Sequence, residues 1–180
     1  MKLIAGRTVL VMIDIQTKLW NVMHEKSVLL ENAQKLVKAM RVLSIPVILT
    51  EQNPKGLGST VPELMQNMPE VKALPKFCFN SCHDSGFERE LNRLGRKQVL
   101  ICGIEAHVCV HQTVLDLLSR GYEVQVVADV VASRVQANKE IALARMQSEG
   151  ARITATEMAI FELLGTADSP LFKEILKVIK

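Results

Sequence analysis

Two hydrophobic periods alternate along this chain. Short apolar runs rich in β-branched residues stand at Thr8–Ile13, Pro46–Thr50, Val99–Cys102, Tyr122–Ala128 and Ala151–Ala155. Continuous runs of this kind fit strands covered on both faces, as in a parallel sheet. Between them lie stretches with apolar residues every three or four positions. Ser27–Val42 carries Leu29, Ala33, Leu36, Val37 and Met40 on one face, with Ser27 placed to cap its start. Asp84–Leu94 and Asn138–Glu149 read as helices stopped by Gly95 and Gly150, and another leads from Thr154 or Thr156 through Leu164. A last helix runs to Lys180 from a cap at Ser169, with Pro170 at its first position. Pro62 opens a short helix over Val61–Met68, whereas Asn53–Ser59 is a loop by its Pro and Gly content. Val71–Asn80 contains Pro75, which lacks a ladder donor, and predicts an edge strand or an extended turn.

Strands and helices in alternation, joined by short turns, define βαβ units. The predicted fold is α/β. It is a single domain over residues 1–180, three layers deep, with helices on both faces of a parallel sheet of about six strands.

Composition narrows the class without naming a function. Hydrophobic residues make up 48% and charged residues 23%, a globular rather than a disordered balance. The formal net charge of +3 is scattered, which argues against nucleic acid or an acidic membrane surface as a partner. No apolar run approaches the roughly 20 residues of a membrane helix. The N-terminus has no long apolar stretch before a small-residue cleavage site, so the expected location is cytoplasmic, or an organelle reached by import. Cys78, Cys82, Cys102 and Cys109 are then expected to be reduced. Cys78, Cys82 and His83 form one local cluster without a second pair, so no structural zinc is expected. His107 and His111 share a helix face, yet the glutamate of an HExxH site is missing.

The chemistry gathers at strand ends. Thr8–Ile13 ends at Asp14, and open α/β sheets place their ligands at the carboxyl ends of strands. The plainer alternative is that Asp14 caps a turn. Val99–Thr113, VLICGIEAHVCVHQT, reads as a strand, a turn at Gly103 and a helix from Ala106. Cys109 then lies in or beside the first turn, where free N–H groups and the helix dipole favour thiolate over thiol. Cys102, in mid-strand, reads as a small hydrophobe. Neither GxGxxG nor GxxxxGK[ST] follows the first strand, so no nucleotide cofactor is expected. The GxSxG of a serine nucleophile elbow is absent as well. A lone lysine is usually a solvated surface group, but Lys76 stands in a locally apolar segment with Phe77 and Phe79, which weakens that reading.

VMIDIQ with Asp14, LPKFCFNS with Lys76 and GIEAHVCVHQT with Cys109, in that order, resemble the isochorismatase-like cysteine hydrolase superfamily. TEQNPKGLG resembles the segment after the second strand in its small group of isochorismatase domain-containing proteins. The likeness runs from about Thr8 to Ala159. It implies six parallel strands, an Asp14–Lys76–Cys109 triad and a non-proline cis peptide at Ile104–Glu105. The N–H groups of Glu105 and Cys109 would then form an oxyanion hole. Gln16, Trp20, Gln52, Phe77 and Glu105 are expected to line a small-molecule pocket, because they lie at strand ends or beside the triad. The implied reaction is hydrolysis of a small amide-type C–N bond through a thioester. Nicotinamidases of the superfamily carry an Asp-x-His metal set near the second strand. The aligned residues here are Thr50, Glu51 and Gln52, so no metal is expected. True isochorismatases commonly lack the cysteine, so Cys109 points to C–N cleavage. The resemblance also implies a homo-oligomer, with the apolar face of LFKEILKVI as a docking surface. Two other readings stand beside the hydrolase: a non-enzymatic oligomeric scaffold and, more weakly, a ribonuclease-like activity.

Overall fold

The structure, a computed structural model, describes residues 2–180. Its strands are β1 (Thr8–Ile13), β2 (Val47–Gln52), β3 (Leu74–Lys76), β4 (Gln98–Ile104), β5 (Glu123–Ala132) and β6 (Arg152–Thr154). They form one sheet in the order β3-β2-β1-β4-β5-β6, and every neighbouring pair is parallel. Connections run outward from β1 on one side and from β4 on the other. The carboxyl ends of β1 and β4 therefore flank the topological switch point, where such sheets open a crevice.

The helices are α1 (Thr17–Trp20), α2 (Lys26–Val42), α3 (Pro54–Leu57), α4 (Pro62–Met65), α5 (Ser85–Leu94), α6 (His111–Ser119), α7 (Gln136–Ser148), α8 (Thr156–Leu164) and α9 (Phe172–Ile179). They make two layers. Leu10 and Met12 of β1 face a core with α2, α8 and α9, whereas Val9, Val11 and Ile13 face a second core with α5, α6 and α7. Both faces of β1 are thus covered, which is why its apolar run shows no alternation.

Several boundaries differ from the sequence reading, each for a local reason. Ser27 is not the cap of α2. The helix starts at Lys26 after Glu25, which has a left-handed backbone and makes no side-chain cap bond. Trp20 fixes that start instead: its indole N–H donates to the Lys26 carbonyl at 2.8 Å, and the Lys26 ammonium lies 4.9 Å above its ring. The loop after β2 contains a helical turn, α3, because the Asn53 side chain accepts from the Gly56 N–H. β5 does not stop before Asp129 but continues to Ala132, with a register irregularity against β4 between Ile101 and Gly103. The Asp129 carboxylate caps α8 from a distance, accepting from the Thr156 N–H and hydroxyl, both at 2.9 Å. Ser169 and Pro170 form a turn ahead of α9, which begins at Phe172. The apolar face of α9 packs in part on this chain's own core. Ile175 is buried and Val178 and Ile179 pack on this chain's own core.

Candidate active site

β1 ends where Asp14 takes a left-handed backbone, φ 53°, a region Asp tolerates better than most residues. The strand pairing beneath it is tight. Gly103 of β4 opposes Ile13 at φ 126°, and a Cβ there would sit 2.6 Å from the Ile13 nitrogen and 2.7 Å from its carbonyl carbon. Only glycine fits that approach. The Asp14 side chain is fully buried. One oxygen accepts from the Thr50 hydroxyl at 2.7 Å and the other from Lys76 Nζ at 2.6 Å.

Lys76 closes the short edge strand β3 and is 1% exposed. Its ammonium donates to Asp14 Oδ2, to Gln52 Oε1 at 2.8 Å and to the Cys78 carbonyl at 3.2 Å. An ammonium has three donors, and all three are engaged. A buried ion pair persists only with such additional hydrogen bonds.

β4 runs out at Ile104, and the Ile104–Glu105 peptide is cis. A π-helical turn, Ala106–Val110, then leads into α6. The Glu105 carbonyl accepts from the N–H groups of Val108 and Val110, the second an i+5 bond of 3.3 Å. Cys109 lies in this widened turn and is 6% exposed. Asp14 and Lys76 both act on its thiol. Burial first, and the Asp14 carboxylate second, push that thiol up to about 12, against a smaller opposing pull from Lys76. Burial thus opposes the pull toward thiolate that a helix start supplies.

The expected pocket residues divide. Gln16 is fully buried, and its amide is spent on the Gln52 N–H (2.8 Å), the Gln52 carbonyl (3.0 Å) and the Gly58 carbonyl (2.6 Å). It braces backbone and does not line a pocket. Trp20 is half-buried with its N–H spent on Lys26. Gln52 holds Lys76 and donates to the Phe77 carbonyl at 2.7 Å. Phe77 is 75% exposed, beside Lys76 in the chain. Glu105 turns its carboxylate to Arg134, accepting from the Arg134 N–H at 3.0 Å and its guanidinium Nε at 3.2 Å.

Three contributors escaped the sequence reading as functional residues. Thr50 holds Asp14, a role its β2 register opposite Ile13 makes possible. Thr113 donates to the Cys109 carbonyl at 2.7 Å and accepts from the Ser81 N–H at 3.0 Å, tying the turn that follows Lys76 to α6. Arg134 is the partner of Glu105. The spacing of Thr113 four residues after Cys109 was the one local signal available. All four cysteines are free. Among the described residues no group of three or more His, Cys, Asp or Glu side chains is disposed to hold a metal ion. No helix among them is long and apolar enough to cross a membrane.

A doubly wound parallel sheet between two helical layers is a three-layer α/β fold, and at its switch point this one buries a carboxylate, an ammonium and a thiol. Residues 8–158 match the isochorismatase domain, and the chain belongs to that family. It is 41% identical over 180 residues to isochorismatase domain-containing protein 2 of Homo sapiens, covering 99% of this chain and 86% of that protein. It is 41% identical over 184 residues to the secreted isochorismatase effector Isc1 of Phytophthora sojae, covering 99% and 87%. Among solved structures, the MAR1 ribonuclease of Caenorhabditis elegans superposes with a TM-score of 0.93 at 37% identity, covering 99% of this chain and 92% of that one. YcaC of Pseudomonas aeruginosa, solved with hexane-2,5-diol and covalent acrylamide, gives 0.92 at 26% identity, covering 98% and 91%.

Proposed function

We propose that this isochorismatase-family protein is a cysteine hydrolase of a small amide-type C–N bond, with Asp14, Lys76 and Cys109 as its triad. The observation that carries the reading is the buried Lys76–Asp14 pair, 2.6 Å apart, acting on a nearly buried thiol at the switch point. Asp14 takes the thiol proton as Sγ attacks the substrate carbonyl carbon. The oxyanion is received by the N–H groups of Glu105 and Cys109. The C–N bond breaks as Asp14 returns the proton to the leaving nitrogen. Water, deprotonated by Asp14, attacks the thioester, and the acid leaves with the thiol restored. Lys76 keeps Asp14 in place and balances the charge that passes between carboxylate and sulfur. The covalent acrylamide on the related YcaC, an amide on a protein of this fold, fits a reactive site of this kind.

The test is Cys109→Ala against a panel of small amides with mass spectrometry of the whole protein. Turnover and any covalent adduct should vanish together. Amide turnover that survives in Cys109→Ala sinks the proposal. A second reading, RNA cleavage, is favoured by the name of the C. elegans relative. Ribonuclease activity in purified protein that persists in Cys109→Ala would select it. Loss of RNA cleavage in the same variant would mean that one site serves both chemistries. Assembly into a homo-oligomer belongs to this proposal too. Phe77 and Phe79, both exposed, are the surface such an assembly would cover, and light scattering reads it directly.

A further inference from the structure

We infer that Gln52 is a positioning residue of the triad: it fixes the Lys76 ammonium on Asp14 and beside Cys109, and it does so as a neutral acceptor. This rests on the cysteine hydrolase reading and adds a part to it.

The argument starts where β1 leaves the sheet. Ile13 is its last residue paired with β2, opposite Thr50, and the chain turns away at Asp14. β2 continues through Gln52, opposite Lys76 of β3. The backbone of Gln52 would lose its β1 neighbour there. Gln16 replaces it: its amide oxygen accepts from the Gln52 N–H at 2.8 Å and its amide nitrogen donates to the Gln52 carbonyl at 3.0 Å. On the other side the Asn53 N–H donates to the Lys76 carbonyl at 2.9 Å. The backbone of residue 52 is thus held from both flanks, and its side chain leaves from a fixed base.

That side chain meets one donor and one acceptor. Oε1 accepts from Lys76 Nζ at 2.8 Å, and Nε2 donates to the Phe77 carbonyl at 2.7 Å. The two partners differ in kind, so the amide has one satisfactory orientation. It grips the head of Lys76 and the peptide just after it. Of the three acceptors on the ammonium, only Asp14 is charged. A neutral second acceptor orients the ammonium without competing for its charge. A carboxylate at position 52 would set two anions on one cation and weaken its hold on Asp14.

The charged groups that act on the sulfur are Asp14, from the end of β1, and Lys76, from β3. A loosened ammonium therefore registers at Cys109 itself. The experiment is the rate of Cys109 alkylation by iodoacetamide, read by peptide mass spectrometry from about pH 6 to about pH 10. It is run on the full chain, wild type against Gln52→Met and Gln52→Glu, with Cys78 as the internal reference. In Gln52→Met, Cys109 labelling should slow by about tenfold to a hundredfold at neutral pH, the worth of a hydrogen bond to a charged group. The profile should move to higher pH while Cys78 labelling stays unchanged. Gln52→Glu, nearly the same shape, should slow Cys109 at least as much.

A residue that merely lines the pocket would leave the alkylation profile of the free protein where it was. A folded Gln52→Glu or Gln52→Met with the wild-type Cys109 profile overturns the inference. Failure of the hydrolase reading looks different. It appears as turnover in Cys109→Ala, whatever the Gln52 variants do.

Discussion

The two ends of the sheet differ in how much water reaches their charged groups. At the amino ends of β2 and β4 a groove of about 450 Å³ is lined by Met40, Ile45, Val47, Met68, Val71 and Leu94. A hollow of about 380 Å³ adjoins it and shares Pro46, Val47, Glu70, Val71 and Leu94. The ionisable partners there, Arg41 and Glu70, lie 3.6 Å apart with side chains 53% and 59% exposed. At the carboxyl ends Asp14, Lys76 and Cys109 are buried, and none is more than 6% exposed. An apolar hollow is the usual first guess for a site. Here the perturbed thiol and the desolvated ion pair lie at the opposite end, which is where a switch point puts function.

The largest effect should come from splitting the buried pair. Lys76→Met leaves the Asp14 carboxylate buried without its cation, at a cost of about 3–5 kcal/mol. Urea denaturation measures it. Asp14→Asn with Lys76→Met removes both charges and should recover most of that loss without restoring amide hydrolysis. A single Lys76→Met variant that loses less than about 1 kcal/mol would mean that this end of the sheet is no more desolvated than the other.

A glycine at each end sharpens the contrast next. Gly103→Ala forces a Cβ into the Ile13 backbone at a positive φ and should cost at least about 2 kcal/mol. Gly6, just before β1, has open space around a Cβ and no such backbone. Gly6→Ala should change stability by less than about 0.5 kcal/mol. Thermal melts of the two variants side by side decide it.

The third contrast is alkaline. Cys82 and Cys109 both hold their protons more tightly folded than unfolded, each pushed to about 12, chiefly by burial. A proton bound more tightly in the folded state stabilises it below the ordinary thiol value, 9.0. That contribution is lost as pH rises from about 9 toward 12. Each thiol adds a slope of at most about 1.4 kcal/mol per pH unit in that window. Cys109→Ala should flatten the fall in stability between about pH 9 and about pH 11 by one such increment. An unchanged slope would mean that the sulfur is not buried.

Much of the fold was legible because burial writes itself into the chain. β1 is covered on both faces and reads as an unbroken apolar run, and α2 shows its single buried stripe. Pro75 marked β3 as an edge. The ends were harder. Ser27 looks like a cap, but Trp20 and Lys26 set the start of α2 through contacts no local spacing carries. β5 reads as stopping at Asp129, because a carboxylate in a strand is unexpected until Thr156 is known to lie against it. Asp14, Lys76 and Cys109 were nameable from three segments in order. How they are held was not: Gln16 and Gln52 read as pocket lining, whereas they bind groups on Gln52, Gly58, Lys76 and Phe77, well separated in sequence, and Thr113 reaches Ser81. Phe77, flanking Lys76, gives no hint that one side chain is buried and the next exposed. The pull toward thiolate was legible because a helix start is local; the opposing desolvation is not.

The smallest expected effect tests the comparison from its quiet side. Arg41 and Glu70, both on the rim of the 450 Å³ groove, lie 3.6 Å apart, and Arg41 also donates to the Asn67 carbonyl at 3.1 Å. As an ion pair it belongs to the same chemical type as Lys76–Asp14. The difference lies in water. Both side chains of the rim pair are more than half exposed, so solvent already stabilises each charge alone. Removing one partner strands nothing, and the pair is worth less than about 1 kcal/mol. Arg41→Ala should therefore move the urea midpoint only slightly, and what it moves should shrink further in high salt. It should leave the Cys109 alkylation profile untouched, because no contact links Arg41 to the triad. A loss approaching that of Lys76→Met would show that the groove end is held by charge after all. The division between a solvated end and a desolvated end would then fail.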